Sequence, residues 1–330
     1  MPSKKGPVVK VEKDKGQQVL ERLKEEDRLD GDRMIEQRGS KLIIPVKEGD
    51  EEDILEKSED KSTPFQKIQS KVDIAEVLKE KLPERWERVG DILLIKLPEV
   101  FDGKKNHIGK VYAEVLGMKS VLIQGSIKGT KREPEVELIY GEETETVHLE
   151  NGIKYKLDVA ELMFSSGNID ERVLMAGVPG EGETIVDMFA GIGYFTLPMA
   201  VHSKPENIYS LEINEVAYGY LNENIELNGV QETVETWNGD NREFAKSRIA
   251  DRVVMGYLHD TWKFLPKAVE LLDGEGVIHY HTRAADVNFP GQVERELAEN
   301  IGKDFEITEI RKIKSYAPHV FHVVADVDVF

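Results

Sequence analysis

The alternation of strands and helices in the C-terminal half restricts the fold of this chain more than any other feature of its sequence. From Phe164 onwards, seven apolar segments have the composition of strands, and helical segments lie between the first five. The alternation predicts an α/β domain with a doubly wound sheet, and the last two strands predict a terminal antiparallel hairpin. Right-handed crossovers then bring the carboxyl ends of the strands to one edge, where a ligand binds at the topological switch point. The predicted strands are residues 184–189, 207–212, 233–238, 252–257, 276–281, 306–314 and 319–329, and the predicted helices are residues 194–202, 215–227, 242–247, 261–271 and 290–301.

The sequence before this alternation is predicted to form two smaller parts. Residues 1–49 form a small N-terminal unit, with a helix around Val19, Leu20 and Leu23 and a strand at 41–46. Residues 50–63 are charged and poor in aromatic side chains, which is typical of a linker. Residues 64–163 form a mixed α+β domain, and residues 164–330 form the alternating domain. Within the α+β domain the predictions are a helix through Ile74, Val77, Leu78 and Leu82, a turn at Trp86, a helix at 108–116, strands at 91–96, 120–124, 136–140, 146–149 and 153–159, and a polar loop at 125–134.

The composition excludes several kinds of site and location. The 330 residues include no cysteine, which rules out disulfides, thiolate catalysis and cysteine-ligated metals. The 8 histidines are scattered, so no metal site is expected. No apolar run has the length of a membrane span, and the N-terminal residues contain no apolar signal core. The sequence therefore predicts a cytoplasmic protein without a membrane segment.

The charge distribution limits where a nucleic acid would bind. The formal net charge is −19, of which residues 164–330 carry −14 and residues 1–163 carry −5. This balance argues against an indiscriminate polyanion binder, and it predicts that any nucleic-acid partner is held mainly by the front half. Adaptation to a salt-rich cytoplasm is the alternative explanation of the acidity.

The clearest local motif is a strand that ends in an acid and leads through a glycine turn into a helix. It covers residues 186–194, with Asp187 at the strand end and Gly191 and Gly193 in the turn. Glycine permits a tight turn and a close approach of the backbone to a ligand. A dinucleotide site requires a third glycine where this chain has Thr196, and Asp187 would repel a pyrophosphate. The motif therefore predicts S-adenosyl-L-methionine, which has a cationic sulfonium and no phosphate, with Asp187, Gly191 and Gly193 as residues that bind it. A strand–helix connection without a ligand is the alternative.

Two further acids follow the next two predicted strands. Glu212 ends the second strand, where a carboxylate accepts hydrogen bonds from ribose hydroxyls. Asp240 follows the third strand, where it is placed to accept from an adenine amino group, although it is also a candidate helix N-cap. Acids at the ends of three successive strands favour the cofactor site over the capping alternative.

These segments resemble known families. DMFAGIG, SLEIN and NGDNRE resemble the class I methyltransferase fold, a Rossmann-like doubly wound seven-stranded sheet. The segments FSSGNIDER, at 164–172, and MFAGIGYFTLPMA resemble two sister families of tRNA-modifying enzymes. One contains the archaeal and eukaryotic tRNA guanine-N1-methyltransferases, and the other contains the wyosine-pathway aminocarboxypropyltransferases. The resemblance covers nearly the whole chain and is strongest over residues 154–281.

Three features favour the aminocarboxypropyltransferase family. The methyltransferases have an Asn-Leu-Pro motif after the fourth strand, where residues 255–258 of this chain read MGYL. They also have a proline after the first serine of the segment that reads FSSGN here. The segments HYH at 279–281 and KSYAP at 314–318 look like the transferase family. The alternative is a tRNA guanine(37)-N1-methyltransferase; an rRNA or small-molecule acceptor and a non-catalytic tRNA-binding protein are more distant alternatives.

The resemblance implies a reaction and a set of ligands. It implies transfer of the 3-amino-3-carboxypropyl group of S-adenosyl-L-methionine to C7 of 4-demethylwyosine at position 37 of tRNA(Phe), in the anticodon region, with release of 5′-methylthioadenosine. A monomer without a metal is expected. The residues that it implies as cofactor contacts are Ser165, Arg172, Glu212, Asp240 and Asn241.

Several other residues are weighed between a functional and a structural role. Arg172 is a candidate anchor for the methionine carboxylate or a tRNA phosphate, or a surface partner of Asp170 or Glu171. The carbon nucleophile must lose a proton, and His279 and His281 are candidates for the base or for structural residues of a strand. The candidates for base stacking, which are equally candidates for core positions, are Tyr194, Tyr257 and Trp262. The candidates for tRNA phosphate contacts, or for a solvated loop, are Lys128, Lys131 and Arg132.

Overall fold

The computed structural model describes residues 7–12, 15–26, 28–30, 35–38, 41–47, 62–128 and 133–330. The chain divides into two units, Met1–Lys67 and Ile68–Phe330. The predicted linker at 50–63 lies mostly outside the described residues. None of the helices in the described ranges is long and apolar enough to cross a membrane.

In the described residues up to 47, a helix packs against a three-stranded antiparallel sheet. Leu23 is fully buried in one cluster with Val9, Val11 and Ile44 of the sheet. The predicted helix and the strand at 41–46 are confirmed. The other two strands are additional, and the shorter one reads EQR, without the apolar alternation that predicts a strand. The elements are β1 (Val8–Glu12), α1 (Gly16–Glu25), β2 (Glu36–Arg38) and β3 (Lys41–Pro45), in the sheet order β1-β3-β2.

A four-stranded sheet with one long helix follows near the start of the second unit. The elements are α2 (Pro64–Lys71), α3 (Glu76–Lys79), β4 (Trp86–Val89), β5 (Ile92–Ile95), α4 (Lys105–Leu116), β6 (Ser120–Lys128) and β7 (Glu133–Tyr140). The sheet order is β4-β5-β6-β7, with β5 and β6 parallel and the other pairs antiparallel. Helix α4 contacts β6 and β7, and a Cβ at Gly109 would lie 2.9 Å from Ile139, so a glycine is needed at this close approach.

Three predictions for this region are wrong. Trp86 belongs to β4, which pairs with β5 across a turn at Gly90. The helix predicted around Val77 is reduced to the single turn of α3. Val77 is 74% exposed, so it does not anchor an apolar helix face, and Pro83 prevents a longer helix. The polar loop predicted at 125–134 is largely strand, since β6 extends to Lys128 and β7 begins at Glu133.

The alternating domain is a seven-stranded sheet with helices on both faces. Its strands are β10 (Thr184–Asp187), β11 (Asn207–Glu212), β12 (Val234–Asn238), β13 (Ala250–Met255), β14 (Leu272–Ala285), β15 (Phe305–Ala317) and β16 (Val320–Val329). Its helices are α5 (Ile169–Met175), α6 (Thr196–His202), α7 (Glu215–Asn228), α8 (Leu265–Leu271) and α9 (Phe289–Asn300). The order is β12-β11-β10-β13-β14-β16-β15, parallel from β12 to β14 and antiparallel in the terminal hairpin. The predicted doubly wound sheet and hairpin are confirmed.

Alternate side chains of the central strand enter different cores. Ile185 of β10 belongs to a buried cluster with Leu197 and Leu221, whereas Val186 belongs to another with Leu271 and Leu297. Since successive strand side chains point to opposite faces, these clusters are the two helix–sheet interfaces of the domain.

A two-stranded hairpin, β8 (Glu145–Glu150) and β9 (Ile153–Asp158), connects the smaller sheet to the larger one. Its backbone is bound by α7, where Asn224 accepts from the Lys156 N–H at 2.6 Å and donates to the Lys156 carbonyl at 3.1 Å. Tyr155 and Leu157 are fully buried in the same cluster as Leu221. The hairpin, which the sequence places in the α+β domain, therefore packs against the large sheet's helices.

Two element predictions in the large domain need correction. The helix predicted at 242–247 is only a 3-10 turn, Asn241–Glu243, because Phe244 is buried with an extended backbone at φ −61° and ψ 120°. The strand predicted at 276–281 is longer, since β16 pairs with β14 from Gly276 to Ala285.

Candidate active site

The carboxyl ends of β10, β11 and β12 lie side by side at one edge of the large sheet. The strand order reverses between β10 and β13, which makes this edge the topological switch point. Asp187 ends β10, Glu212 ends β11, and Asp240 lies just after β12. The Glu212 carbonyl accepts from the Gly239 N–H at 3.0 Å, which holds the start of the Asp240 loop against β11. The three predicted acids are therefore brought to one place.

Both glycines of the turn have a positive φ. The φ angles are 57° at Gly191 and 101° at Gly193. A Cβ at Gly191 would lie 2.6 Å from the Tyr194 ring, and one at Gly193 would lie 2.7 Å from Leu197. The glycines are thus required by the backbone and by the packing of the chain on itself.

Asp187 is completely buried and acts inside the turn. Its two carboxylate oxygens accept from the Phe189 N–H at 3.2 Å and from the Thr196 hydroxyl at 2.9 Å, and Thr196 also contacts Ser210 at 2.9 Å. Burial raises the pKa of Asp187 to about 6, and the charge of Glu212 adds to the rise. The two hydrogen bonds lower the pKa and so oppose this rise only in part. This geometry does not support the predicted direct contact of Asp187 with the cofactor. Thr196, which stands in place of a third glycine, holds the Asp187 carboxylate in position through its hydroxyl hydrogen bond.

Glu212 joins the turn to the following helix. One carboxylate oxygen accepts from the Gly191 N–H at 2.7 Å, and the other accepts from the Asn214 N–H at 2.7 Å. Burial raises the pKa of Glu212, while these backbone hydrogen bonds oppose the rise. The carboxylate is half-buried at the edge and keeps lone pairs for further donors, as a ribose ligand requires.

Asp240 caps the short turn that follows β12. It accepts from the backbone N–H of Arg242 at 3.0 Å and from the Arg242 side chain, which lowers its pKa. The capping role named as its structural alternative is therefore present. Its contact with the cofactor stays a prediction.

Asn241 presents a buried acceptor at the same edge. Its amide nitrogen donates to the Met188 carbonyl at 2.8 Å, which fixes the orientation of the side chain. Its amide oxygen is buried and receives no hydrogen bond from the described residues. Because a buried acceptor without a donor is costly, this oxygen indicates a ligand N–H such as an adenine amino group.

Arg172 forms a buried ion pair that the sequence did not indicate. Its Nε and Nη2 donate to the two oxygens of Glu150, at 2.6 and 2.7 Å, and its Nη1 donates to the Ser165 carbonyl at 3.0 Å. The proposed surface pairing with Asp170 or Glu171 is wrong, because Arg172 is only 2% exposed and its partner is Glu150. Three of its five N–H groups donate in these contacts, so a contact with the methionine carboxylate remains a prediction for the others.

The terminal hairpin also holds Ser165. Lys314 of β15 donates to the Ser165 hydroxyl, and a Cβ at Gly167 would lie 3.0 Å from the Lys314 stem. Neither Glu150 nor Lys314 was predicted as a site residue. In the structure Glu150, at the end of β8, is buried, whereas Glu145 at the start of the strand is exposed, and no local sequence pattern distinguishes the two.

The two candidate bases lie inside the domain. One ring nitrogen of His279 contacts Asp326 at 2.6 Å and the other contacts Arg252 at 2.7 Å, and its side chain is 2% exposed. These contacts favour the structural alternative for His279. His281 is buried beside Phe195 and contacts His322 at 3.0 Å; burial lowers its pKa well below the ordinary value. His281 is therefore neutral at neutral pH, but its buried position also favours a structural role.

The three stacking candidates differ in environment. Tyr194 donates its hydroxyl to the Met163 carbonyl and packs against Phe164. Tyr257 stacks on Phe189, with ring centroids 5.0 Å apart and planes 11° apart. Trp262 is exposed. The stacking role of the half-buried Tyr257 and of Trp262, over whose ring the Lys263 ammonium lies, stays a prediction, whereas Tyr194 forms part of the support of the glycine turn.

The basic residues of the segment 125–134 lie mostly outside the described residues. Lys128 ends β6, while Lys131 and Arg132 lie outside the described residues. Their predicted contacts with tRNA phosphates remain predictions. Within the described ranges, no group of three or more acidic or histidine side chains is placed to hold a metal ion.

Three family models match consecutive parts of the chain. Residues 9–54 match the tRNA methyltransferase 5 N-terminal domain, residues 68–144 match the TYW2 N-terminal domain, and residues 146–308 match the TRM5/TYW2 methyltransferase domain.

Individual relatives agree with these models. A Pyrococcus horikoshii protein named tRNA(Phe) (4-demethylwyosine(37)-C(7)) aminocarboxypropyltransferase is 45% identical, over 78% of this chain and 94% of its own length. The Pyrococcus abyssi tRNA (guanine(37)-N(1))-methyltransferase Trm5b is 36% identical, over 96% of this chain and 97% of its own. The crystal structure of P. horikoshii TYW2 in complex with MeSAdo is similar with a TM-score of 0.73 and 44% identity, covering 81% of this chain and 98% of that chain.

Proposed function

The chain belongs to the TRM5/TYW2 family, and from this membership we propose that it is a tRNA aminocarboxypropyltransferase. It transfers the 3-amino-3-carboxypropyl group of S-adenosyl-L-methionine to C7 of 4-demethylwyosine at position 37 of tRNA(Phe) and releases 5′-methylthioadenosine. The relative that carries this activity in its name is more similar in sequence than the related methyltransferase, at 45% against 36% identity.

The residues at the sheet edge fit the nucleoside part of S-adenosyl-L-methionine. Glu212 accepts from the ribose hydroxyls, and the Asn241 amide oxygen accepts from the adenine amino group. Both side chains are already oriented by hydrogen bonds within the protein, Glu212 by the Gly191 N–H and Asn241 by the Met188 carbonyl. When bound, S-adenosyl-L-methionine supplies a sulfonium with three carbons open to attack.

The reaction itself depends mainly on orientation. The base carbon forms a bond with the methionine Cγ, the electron pair of the broken S–Cγ bond remains on sulfur, and the C7 proton is lost. The chain must therefore bring Cγ, rather than the methyl group, in line with C7. Ser165 and Arg172 are held against each other and by Glu150 and Lys314, so they form a rigid surface for the amino-acid end.

Residues 255–258, at the end of β13 and just after it, provide the observation that favours the transferase over the methyltransferase. Met255 and Leu258 are buried, Gly256 has no side chain, and Tyr257 stacks on Phe189. A Cβ at Gly256 would lie 2.9 Å from the Phe195 ring, so a longer side chain there requires Phe195 to move. The segment offers no side-chain amide to a guanine, which is the group that the resemblance assigns to the methyltransferases.

We also propose the organisation and setting of the enzyme. The parts are a small N-terminal domain of the tRNA-binding type at 1–49, a linker at 50–63, an α+β domain at 64–163 and a catalytic domain that binds S-adenosyl-L-methionine at 164–330. The protein acts as a cytoplasmic monomer without a metal, and it binds the anticodon region of its tRNA.

Identification of the sulfur product tests this function. The protein is incubated with S-adenosyl-L-methionine and tRNA(Phe) that carries 4-demethylwyosine, and the products are separated by chromatography. We expect 5′-methylthioadenosine, and none with tRNA(Phe) that has an unmodified guanine at the same position. S-adenosylhomocysteine formed with the guanine tRNA would instead support the guanine-N1-methyltransferase.

A further inference from the structure

Four aromatic side chains form a continuous row along the carboxyl edge of the large sheet. The rings of Phe189 and Tyr257 are stacked at 5.0 Å, those of Tyr257 and His259 lie 5.7 Å apart, and those of His259 and Tyr316 lie 6.2 Å apart. We call these four residues the aromatic row. They come from three separate segments, which follow β10, follow β13 and end β15, so only the fold brings them together.

One end of the aromatic row opens to solvent. Phe189, at the glycine turn, and Tyr257 and His259 are half-buried, whereas Tyr316 is 37% exposed. The aromatic row therefore extends from the solvent to Phe189, which lies beside the glycine turn of the proposed cofactor site. A row that served only to fill the core would not need an exposed ring at its end.

A fixed cation accompanies the exposed end. The Arg283 guanidinium lies 5.2 Å from the Tyr316 ring centroid, and its Nε donates to the Leu258 carbonyl at 2.7 Å. That hydrogen bond orients the guanidinium beside the ring. Asp260 lies near enough to respond to the charge of Arg283, but it is ion-paired with Lys263 at 2.8 Å. A positive charge at this point is notable in a half of the chain whose net charge is −14.

We propose that Tyr316, His259 and Arg283 form a stacking site for an unpaired nucleobase of the RNA substrate, next to the reacting base. Unpaired RNA bases are bound on aromatic rings and on guanidinium planes, and phosphates favour a nearby cation. Tyr257 continues the surface inwards to the place where the acceptor base meets the cofactor. The site rests on the proposed function, because it requires an RNA with bases that are turned out of a stack.

Substitution of the exposed ring tests the site. Tyr316→Ala is expected to weaken tRNA binding by about fivefold to a hundredfold, as the loss of one stacked base does. Tyr316→Phe keeps the ring and is expected to bind within about twofold of the unchanged protein, as is the control Phe330→Ala, which removes another exposed ring. Dissociation constants for tRNA and for S-adenosyl-L-methionine and the melting temperature are measured on all four proteins.

Two further readouts separate stacking from other roles. The slope of log Kd against log salt should be unchanged in Tyr316→Ala, because a ring neutralises no phosphate. It should decrease in Arg283→Ala, because the guanidinium neutralises one phosphate. Equal tRNA affinity of Tyr316→Ala and the unchanged protein overturns the proposal. So does a loss of S-adenosyl-L-methionine binding or of melting temperature in parallel with tRNA binding, since it shows a structural role.

The same measurements distinguish this site from the proposed reaction. If the unchanged protein binds tRNA in a Tyr316-dependent way but releases no 5′-methylthioadenosine, the reaction is wrong and the stacking site stands. If methylthioadenosine is released at the same tRNA KM by Tyr316→Ala, the reaction stands and the stacking site is wrong.

Discussion

Arg172 and Glu150 form a bidentate ion pair in the interior, with Nε–Oε1 and Nη2–Oε2 distances of 2.6 and 2.7 Å. The pair connects α5, which follows the FSSGN segment, with the β8–β9 hairpin. Burial alone would raise the pKa of Glu150, but His148 and Arg172 overcome this and hold the pKa at about 2. Arg172, the cation of the FSSGNIDER segment, therefore has a structural partner in Glu150, and any contact with a ligand is additional to this ion pair.

Glu150→Gln is expected to destabilise the protein by about 3–5 kcal/mol, because it leaves the buried charge of Arg172 uncompensated. Urea denaturation at neutral pH measures this. Glu145→Gln, an exposed residue of the same strand whose ion-pair partner is the half-buried Lys156, should cost no more than about 1 kcal/mol. Equal losses in the two variants would contradict the prediction. Since the pKa of Glu150 is depressed, its stabilisation is complete above its ordinary pKa and is lost as the pH falls towards 2.

Glu212→Gln is expected to weaken S-adenosyl-L-methionine binding by about tenfold to a hundredfold, because charge-assisted hydrogen bonds become neutral ones. Isothermal titration calorimetry measures the dissociation constant. Glu206→Gln, an exposed residue just before the start of the same strand, is the matched control and should bind normally. Unchanged affinity in Glu212→Gln would remove this residue from the cofactor site.

Asp187→Asn is expected to change the pH dependence of stability. An acid with a raised folded-state pKa favours folding while it is protonated, so its contribution declines as the pH rises from 3.8 through about 6. The variant lacks this decline, and its stability relative to the unchanged protein should rise by about 2–3 kcal/mol between about pH 4 and pH 7. Denaturation at several pH values tests this, with Asp170→Asn as an exposed control. Parallel curves for Asp187→Asn and the unchanged protein would show that Asp187 titrates normally.

Gly256→Ala is expected to destabilise the protein by about 1–3 kcal/mol, since its Cβ would meet the Phe195 ring at 2.9 Å. Gly219→Ala, in α7, is the matched control, because nothing lies within 4 Å of its Cβ. It should be neutral or stabilising by up to about 1 kcal/mol, as alanine favours helices. Melting temperatures compare the two. A Gly256→Ala variant as stable as Gly219→Ala would show that Phe195 moves freely and that this segment can hold a side chain.

Much of the large domain is predictable because its signals are local. Apolar periodicity predicts the seven strands and the terminal hairpin, and the right-handed crossover rule brings the carboxyl ends of the parallel strands to one edge. The order β14-β16-β15, which places the last strand between the other two, was not predicted. The glycine turn and the acids Glu212 and Asp240 reach one edge for the same reason, since parallel strands end together. The errors arose where short segments have weak patterns, as in the turn at Asn241–Glu243 and in α3.

The sequence by itself determined the order of elements, the switch point and the kind of ligand that its edge accepts, because these follow from periodicity, from chain handedness and from residue types at strand ends. Only the tertiary structure decided the partners of the side chains. Arg172 finds Glu150 22 residues away, and Lys314 reaches Ser165 across 149 residues. Such contacts depend on how separate elements pack in space. A local sequence pattern does not predict which buried charges pair with each other. The same holds for the aromatic row, whose rings come from three segments and meet only at the edge of the folded sheet.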